Sequence, residues 1–263
     1  MRETIPISDP EDPRIADYRA VRERDLVGRE GKFVIEGEVV LRLAARRGRF
    51  PLASALLSEK RADLAEILPE GVPVHVAPQA VMDAIAGFPI HRGVLAIGRR
   101  GAEPDPAALL AGLPAPTLVV ALVGLTNHDN VGGIFRNAAA FGAQAVLLDA
   151  ETCDPLYRKA IRVSAGGALV VPFARAGDPL SLIATLEHAG FTPLALSPRG
   201  AVTLASLRRP DRAALVLGAE GPGLPDAVLA RARTVRIPMA GDFDSLNVAV
   251  TSGIALAALA GLG

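Results

Sequence analysis

TLVVALVGL (residues 117–125), VGGIFRNAAAFG (131–142) and AVLLD (145–149) follow one another closely, and their succession decides the fold. The first is an unbroken apolar run with several β-branched side chains, as expected of a strand covered on both faces. The second has the spacing of a helix and ends at Gly142. The third is again a short apolar run. Strand, helix and strand in that order make a parallel unit. Working outward, TPLALS (192–197), ALVLG (214–218) and TVRIP (234–238) read as further buried strands, with helices at about 179–189, 225–232 and 246–260 between or after them. The sum is an α/β domain over 117–263, with a mostly parallel sheet and helices on both faces. Ligands of open α/β sheets sit beyond the carboxyl ends of the strands, so the loops after Leu125, Gly218 and Pro238 carry the interest.

Toward the N-terminus, RRGAEPDPAALLAGLPAP (99–116) is rich in Pro, Gly and Ala and reads as a linker over 100–116, with a short helix at 106–112. Residues 1–99 before it form a smaller α/β domain with an N-terminal extension. FVIEG (33–37), SALLS (54–58), VPVHVA (72–77) and GVLAIG (93–98) are its strands. VVLRLAARR (39–47), KRADLAEIL (60–68) and PQAVMDAIA (78–86) are its helices.

Composition narrows the function classes. Lys and Arg number 28, as do Asp and Glu, so the chain carries no bulk positive charge with which to hold nucleic acid. Any nucleic-acid contact must come from a local basic patch. The single cysteine, Cys153, excludes an internal disulfide or a Cys-based zinc site and fits a cytoplasmic setting. The four histidines, His75, His91, His128 and His188, lack metal-ligand spacing, so no metal is expected. The N-terminal stretch MRETIPISDPEDPR has no apolar core of a signal peptide, and the longest apolar run is broken by Asn247, Thr251, Ser252 and Gly253, so no membrane span is expected.

Three segments can carry chemistry. In NHDNVGGIFRNAAAFGA (127–143), Asn130 reads as the helix N-cap, and Val131, Ile134, Phe135 and Ala138 as the core face. Arg136 shares its face with Gly132, Gly133, Ala139 and Ala140, small residues that leave a guanidinium room to reach an anion. In LVLGAEGPGLPD (215–226), a strand ends at Gly218 and Glu220 follows among glycines that permit close backbone approach or positive φ. The spacing is not the dinucleotide fingerprint GxGxxG, which argues against a dinucleotide enzyme. In IPMAGDFDSLNVAVTSGIALAALAG (237–261), Ser245 and Asn247 stand at the mouth of a helix that reads as apolar all round and therefore buried. Taken singly, Ser245 or Asp244 could be no more than a helix cap and Glu220 a solvated loop acid. Together, the polar groups at strand ends favour a binding site.

Taken together, these segments resemble the SpoU/TrmH family of SPOUT RNA methyltransferases, in order and spacing, across roughly 117–263. The pattern N-x₅-R runs from Asn130 to Arg136, LGAEGPGL holds Gly218 and Glu220, and IPM-x-G-x₃-SLNV runs from Ile237 to Val248. FVIEG and HRGVLAIG (91–98) resemble the L30e-like substrate-binding domain that many members carry. The sequence departs at Asn137, where Thr is common, and at Ala249, where Ser is frequent.

The resemblance implies an α/β fold with a deep C-terminal trefoil knot, a rare exception to unknotted topology. It implies S-adenosyl-L-methionine as methyl donor, a ribose 2′-O-methyl product in rRNA or tRNA, and a homodimer. It also implies that Gly218, Ile237 and Leu246 contact the cofactor, and that Asn130, Arg136, Glu220, Ser245 and Asn247 form the polar reaction centre. The added N-terminal domain favours rRNA; a tRNA substrate, or a non-catalytic RNA-binding protein of the same fold, is the alternative. A guanidinium keeps its proton in proteins, so Arg136 is read as a grip on the phosphate beside the target ribose rather than as a base. Arg42, Arg46, Arg47 and Arg49 are the candidate RNA contacts in the N-terminal domain.

Overall fold

The computed structural model describes residues 2–19, 27–28, 30–86, 93–241 and 245–261. His91 and Arg92 of the quoted HRGVLAIG, and Asp242, Phe243 and Asp244 of the third motif, lie outside them. The described elements run β1 (Ile5–Pro6), β2 (Lys32–Glu36), α1 (Glu38–Arg47), β3 (Leu52–Ser58), β4 (Val74–Ala77), α2 (Gln79–Ala86), β5 (Val94–Arg99), α3 (Pro106–Ala111), β6 (Thr117–Val123) and α4 (His128–Ala140). They continue with β7 (Ala145–Leu148), α5 (Arg158–Val163), α6 (Gly167–Val170), β8 (Phe173–Arg175), α7 (Pro179–His188), β9 (Thr192–Leu196), β10 (Val202–Thr203), β11 (Arg212–Gly218), α8 (Asp226–Leu229), β12 (Arg233–Arg236) and α9 (Val248–Ala260). The chain divides into two compact units: Met1–Ala102 with Leu156–Val170, and Glu103–Pro155 with Val171–Gly263.

The first unit holds a five-stranded sheet in the order β1-β4-β3-β5-β2. β1, β4 and β3 run parallel, while β5 is antiparallel to both β3 and β2. Residues 156–170, with α5 and α6, belong to this unit although they lie between β7 and β8 in the chain. The segment expected to be an α-helix at 60–68 is instead 3-10 over Glu59–Ile67. It buries only Leu64 and Ala65, and an α-helix needs a regular apolar stripe to hold it against a core. Arg2 pins that segment's end by donating to the carbonyls of Leu68 (2.5 Å), Pro69 (2.7 Å) and Val72 (2.6 Å).

His75, on β4, is 4% exposed, and its Nδ1 has no hydrogen-bond partner among the described residues. Burial, and after it the Arg14 guanidinium, hold the imidazole below its ordinary value of 6.5, with Asp12 opposing. The folded chain therefore binds this proton less readily than the unfolded chain. Stability from this group is complete above pH 6.5 and declines as the pH falls below it. His75→Gln should lose less urea resistance than the wild type between about pH 7.5 and about pH 5. Parallel losses in the two proteins would remove His75 from the acid response.

The second unit holds a seven-stranded sheet, order β10-β12-β9-β11-β6-β7-β8, with every neighbouring pair parallel. All seven residues of β6 are buried, as its unbroken apolar sequence demands. Each fully buried Val or Leu there contributes roughly 1.5–3 kcal/mol. α7 packs Leu182, Ile183 and Leu186 into the same cluster as Val119, Ala121 and Val216 of the sheet. β11 and β6 run side by side with Gly218 opposite Val123, so two of the loops singled out above leave the sheet together. The strand Phe173–Arg175 was not expected from sequence, being too short to carry a pattern.

The C-terminal helix differs from its expectation. α9 is not buried all round: Val250 is 53% and Ile254 41% exposed, while Val248, Ser252, Ala255, Leu256 and Leu259 face inward. An apolar sequence shows that a helix can be buried, but not that this chain alone supplies the cover.

Candidate active site

The loop after β6 is set by a buried carboxylate. Gly124 turns the chain at φ +68°, and its N–H donates to Asp149 Oδ2 at 2.9 Å. Asp149 is 1% exposed, and its Oδ1 accepts from the Thr152 amide (2.8 Å) and hydroxyl (2.6 Å). A buried polar group needs such hydrogen bonds to be tolerated, and here they fix the entry to α4. Asn127, not Asn130, caps α4: its backbone is extended and its side chain accepts from the Asp129 amide at 2.9 Å. The helix thus starts earlier than expected, which places Asn130 inside its first turn, 6% exposed, with its side chain free for another partner.

The second loop needs its glycines. A Cβ on Gly218 would lie 2.5 Å from the Gly223 carbonyl carbon and 2.6 Å from the Leu224 nitrogen, so only glycine fits where the loop folds back. Gly221 and Gly223 take φ +86° and +70°, and the Gly223 amide closes the turn on the Ala219 carbonyl at 3.1 Å. Glu220 is presented, exposed, on this turn.

The third segment leaves β12 through Ile237, half-buried, and reaches α9 through Ser245 and Leu246, both exposed. Asn247 caps α9, its Oδ1 accepting from the amides of Ala249 (2.9 Å) and Val250 (3.2 Å). Its Nδ2 donates to Asn130 Oδ1 at 2.9 Å and to Glu220 Oε1 at 2.7 Å. A side-chain amide offers two donors and an acceptor with two lone pairs, and Asn247 uses them all. One residue of the third motif therefore ties together the first and the second.

Arg136 stands apart from this cluster. It lies six residues past Asn130, about 120° around α4, exposed, and makes no hydrogen bond to Asn130, Glu220 or Asn247. The reading that Gly133 leaves space over the guanidinium is corrected: a Cβ there would sit 2.7 Å from the Ala249 side chain, so the glycine admits α9 instead. Asn137, where the sequence departs from the resembled pattern, makes no hydrogen bond to Asn130, Glu220 or Asn247, but its Nδ2 donates to the Ala249 carbonyl (2.7 Å) and to Ser252 Oγ (2.9 Å), a role the sequence reading did not give it. A spacing of seven, which returns to within about 20° of Asn130's face, was the available signal.

In the first unit, Arg46 and Arg47 are exposed at the end of α1. Arg42 is paired with Glu38 at 2.8 Å. Arg49 is half-buried, its guanidinium 4.7 Å from the centre of the Phe50 ring, and burial lowers its pKa to about 10.

A parallel sheet whose strand-end loops bring two amides and a carboxylate to one point defines an α/β protein with a polar site at the sheet's carboxyl edge. Residues 117–257 match the model of the SpoU rRNA Methylase family. An uncharacterized tRNA/rRNA methyltransferase of Mycobacterium bovis is 41% identical, over 95% of this chain and 89% of its own. Among solved structures, an AdoMet-bound rRNA methyltransferase from Sinorhizobium meliloti superposes with a TM-score of 0.85 at 24% identity, covering 97% of each chain. Another, an RNA 2′-O ribose methyltransferase, has a TM-score of 0.76 at 25% identity, covering 97% of this chain and 98% of its own. The chain belongs to the SpoU methylase family, and its activity is RNA methyl transfer.

Proposed function

We propose that this protein uses S-adenosyl-L-methionine to methylate ribose 2′-hydroxyls of structured RNA, rRNA in preference to tRNA, as a cytoplasmic homodimer. The observation that carries the reading is the bridge from Asn247 to Asn130 and Glu220, because it joins all three segments into one polar centre. The named activity of the 25%-identical solved chain supports ribose as the acceptor, and the rRNA methyltransferase from S. meliloti supports rRNA. The exposed apolar residues Val250, Ile254 and Leu246 support a second copy as the cover of that face. The domain division at 100–116, the L30e-like assignment of residues 1–99 and the C-terminal knot are part of the same reading.

The residues present fit the cofactor. Gly218, Ile237 and Leu246 stand at the carboxyl ends of β11 and β12 or just before α9, where backbone and apolar side chain can enclose a flat base. The cofactor supplies an electrophilic methyl group on a sulfonium sulfur. The protein must hold the ribose oxygen in line with that methyl and favour loss of its proton. Arg136, exposed on another face of α4, grips the phosphate next to the target ribose and so orients the hydroxyl. Asn130, Glu220 and Asn247 hold one another and, with Ser245, orient the reacting groups. Among the described residues no cluster of His, Cys, Asp and Glu could hold a metal, and none has a place in this scheme. Arg46 and Arg47, with Arg42, are the phosphate contacts of the first unit; Arg49, turned onto Phe50, is the weakest of the four.

The test is transfer of tritium from labelled S-adenosyl-L-methionine to separated, unmodified rRNA and tRNA, followed by nucleoside digestion. Label on ribose in rRNA is the expected result. Label on a base, or on tRNA alone, would overturn the acceptor or the RNA class. No label from protein that fails to bind the cofactor would favour a non-catalytic RNA-binding role.

A further inference from the structure

The seam between α4 and α9 is built from small residues and one polar lock. Gly133 meets Ala249, and a Cβ on Gly253 would come within 3.2 Å of Asn137 Nδ2, so the two helices approach closely. Into this seam Asn137 donates to the Ala249 carbonyl at 2.7 Å and to Ser252 Oγ at 2.9 Å, and the Ser252 hydroxyl donates to the same carbonyl at 2.7 Å. Ser252 is fully buried. Apolar and glycine contacts alone let two helices slide along each other, whereas a buried polar pair is satisfied at one axial setting. Ala249 lies two residues after Asn247. The setting that satisfies Asn137 is therefore the setting that brings Asn247 Nδ2 to Asn130 Oδ1.

We propose that Asn137 is a positioning residue: by locking α9 against α4 it sets the height of Asn247, and through it the geometry of Asn130 and Glu220. It does not touch substrate. Its effect on methyl transfer rests on the methyltransferase reading above; its effect on Asn247 does not.

The experiment has a structural and a kinetic arm. Crystal structures of wild type and Asn137→Ala compare the distance from Asn247 Nδ2 to Asn130 Oδ1. Asn137→Asp, the same shape without the donor, serves if the alanine variant does not fold. Loss of that hydrogen bond in an otherwise unchanged fold is the expected result, and its retention overturns the proposal whether or not any RNA is methylated. In the kinetic arm, kcat for Asn137→Ala should fall about 10- to 100-fold, as for a displacement of about 1 Å at a reacting centre, with the KM for RNA nearly unchanged. Because Asn137 acts through Asn247, the double variant Asn137→Ala, Asn247→Ala should be no slower than Asn247→Ala alone. Losses that multiply would overturn the proposal. A wild type that methylates no RNA would fail the functional reading and leave the structural arm to decide this one.

Discussion

Asn247→Ala is expected to lower methyl transfer at least about a hundredfold, the effect of removing one fixed donor from a reaction centre, and to destabilise the fold by about 1 kcal/mol. The two effects have separate origins. The stability loss comes from Oδ1, which caps α9 through the amides of Ala249 and Val250. The activity loss comes from Nδ2, the donor shared by Asn130 and Glu220. Asn247→Asp separates them. Its carboxylate keeps the cap, since an aspartate accepts as well as an asparagine there. It cannot donate, however, and it would face the Glu220 carboxylate and the Asn130 oxygen with like polarity. Near-wild-type melting with activity as low as in the alanine variant is the expected pattern. Substantial activity in Asn247→Asp would show that the bridge serves folding and not transfer.

The parallel sheet of the second unit was readable because β7 is apolar throughout and β6, β9 and β11 are apolar through their buried centres, the pattern expected of strands covered on both faces. The three loops at its carboxyl edge followed from that assignment. What could not be read is how the loops meet. The opposition of Gly218 and Val123 is a matter of strand order, and no local pattern encodes which strands become neighbours. Helix starts were misplaced for a different reason. Asn127 and Asn130 are both competent caps, and only backbone geometry at Asn127 selects between them. The role of Asn137 went unread because its partners, the Ala249 carbonyl and Ser252 Oγ, lie 112 and 115 residues away in the chain, and no local pattern shows that α9 packs there. α5 and α6 went unread because, unlike the equally short α3 with its Asp105 cap and Pro106, they open on no start signal.

Arg136→Ala is expected to reduce kcat/KM for RNA by about 10²- to 10³-fold while the affinity for S-adenosyl-L-methionine stays within about twofold. The structure supports the second half. Arg136 is exposed and unattached to the Asn130–Asn247–Glu220 cluster, so its removal leaves that cluster, and Gly218, Ile237 and Leu246 that we propose hold the cofactor, as they are. For the same reason the melting temperature should barely move. A guanidinium offers a planar fork to two phosphate oxygens, whereas an ammonium offers only a point charge. Arg136→Lys should therefore recover part of the lost activity, and more at low salt than at high salt, where screening weakens a lone charge. A group that removed the proton itself would give another outcome, because a lysine, with its readily shifted pKa, would restore activity steeply as the pH rises. Calorimetric titration with the cofactor, alongside RNA kinetics of the three proteins at two salt concentrations, distinguishes these cases. Loss of cofactor affinity in Arg136→Ala would place the arginine on the cofactor rather than on the RNA.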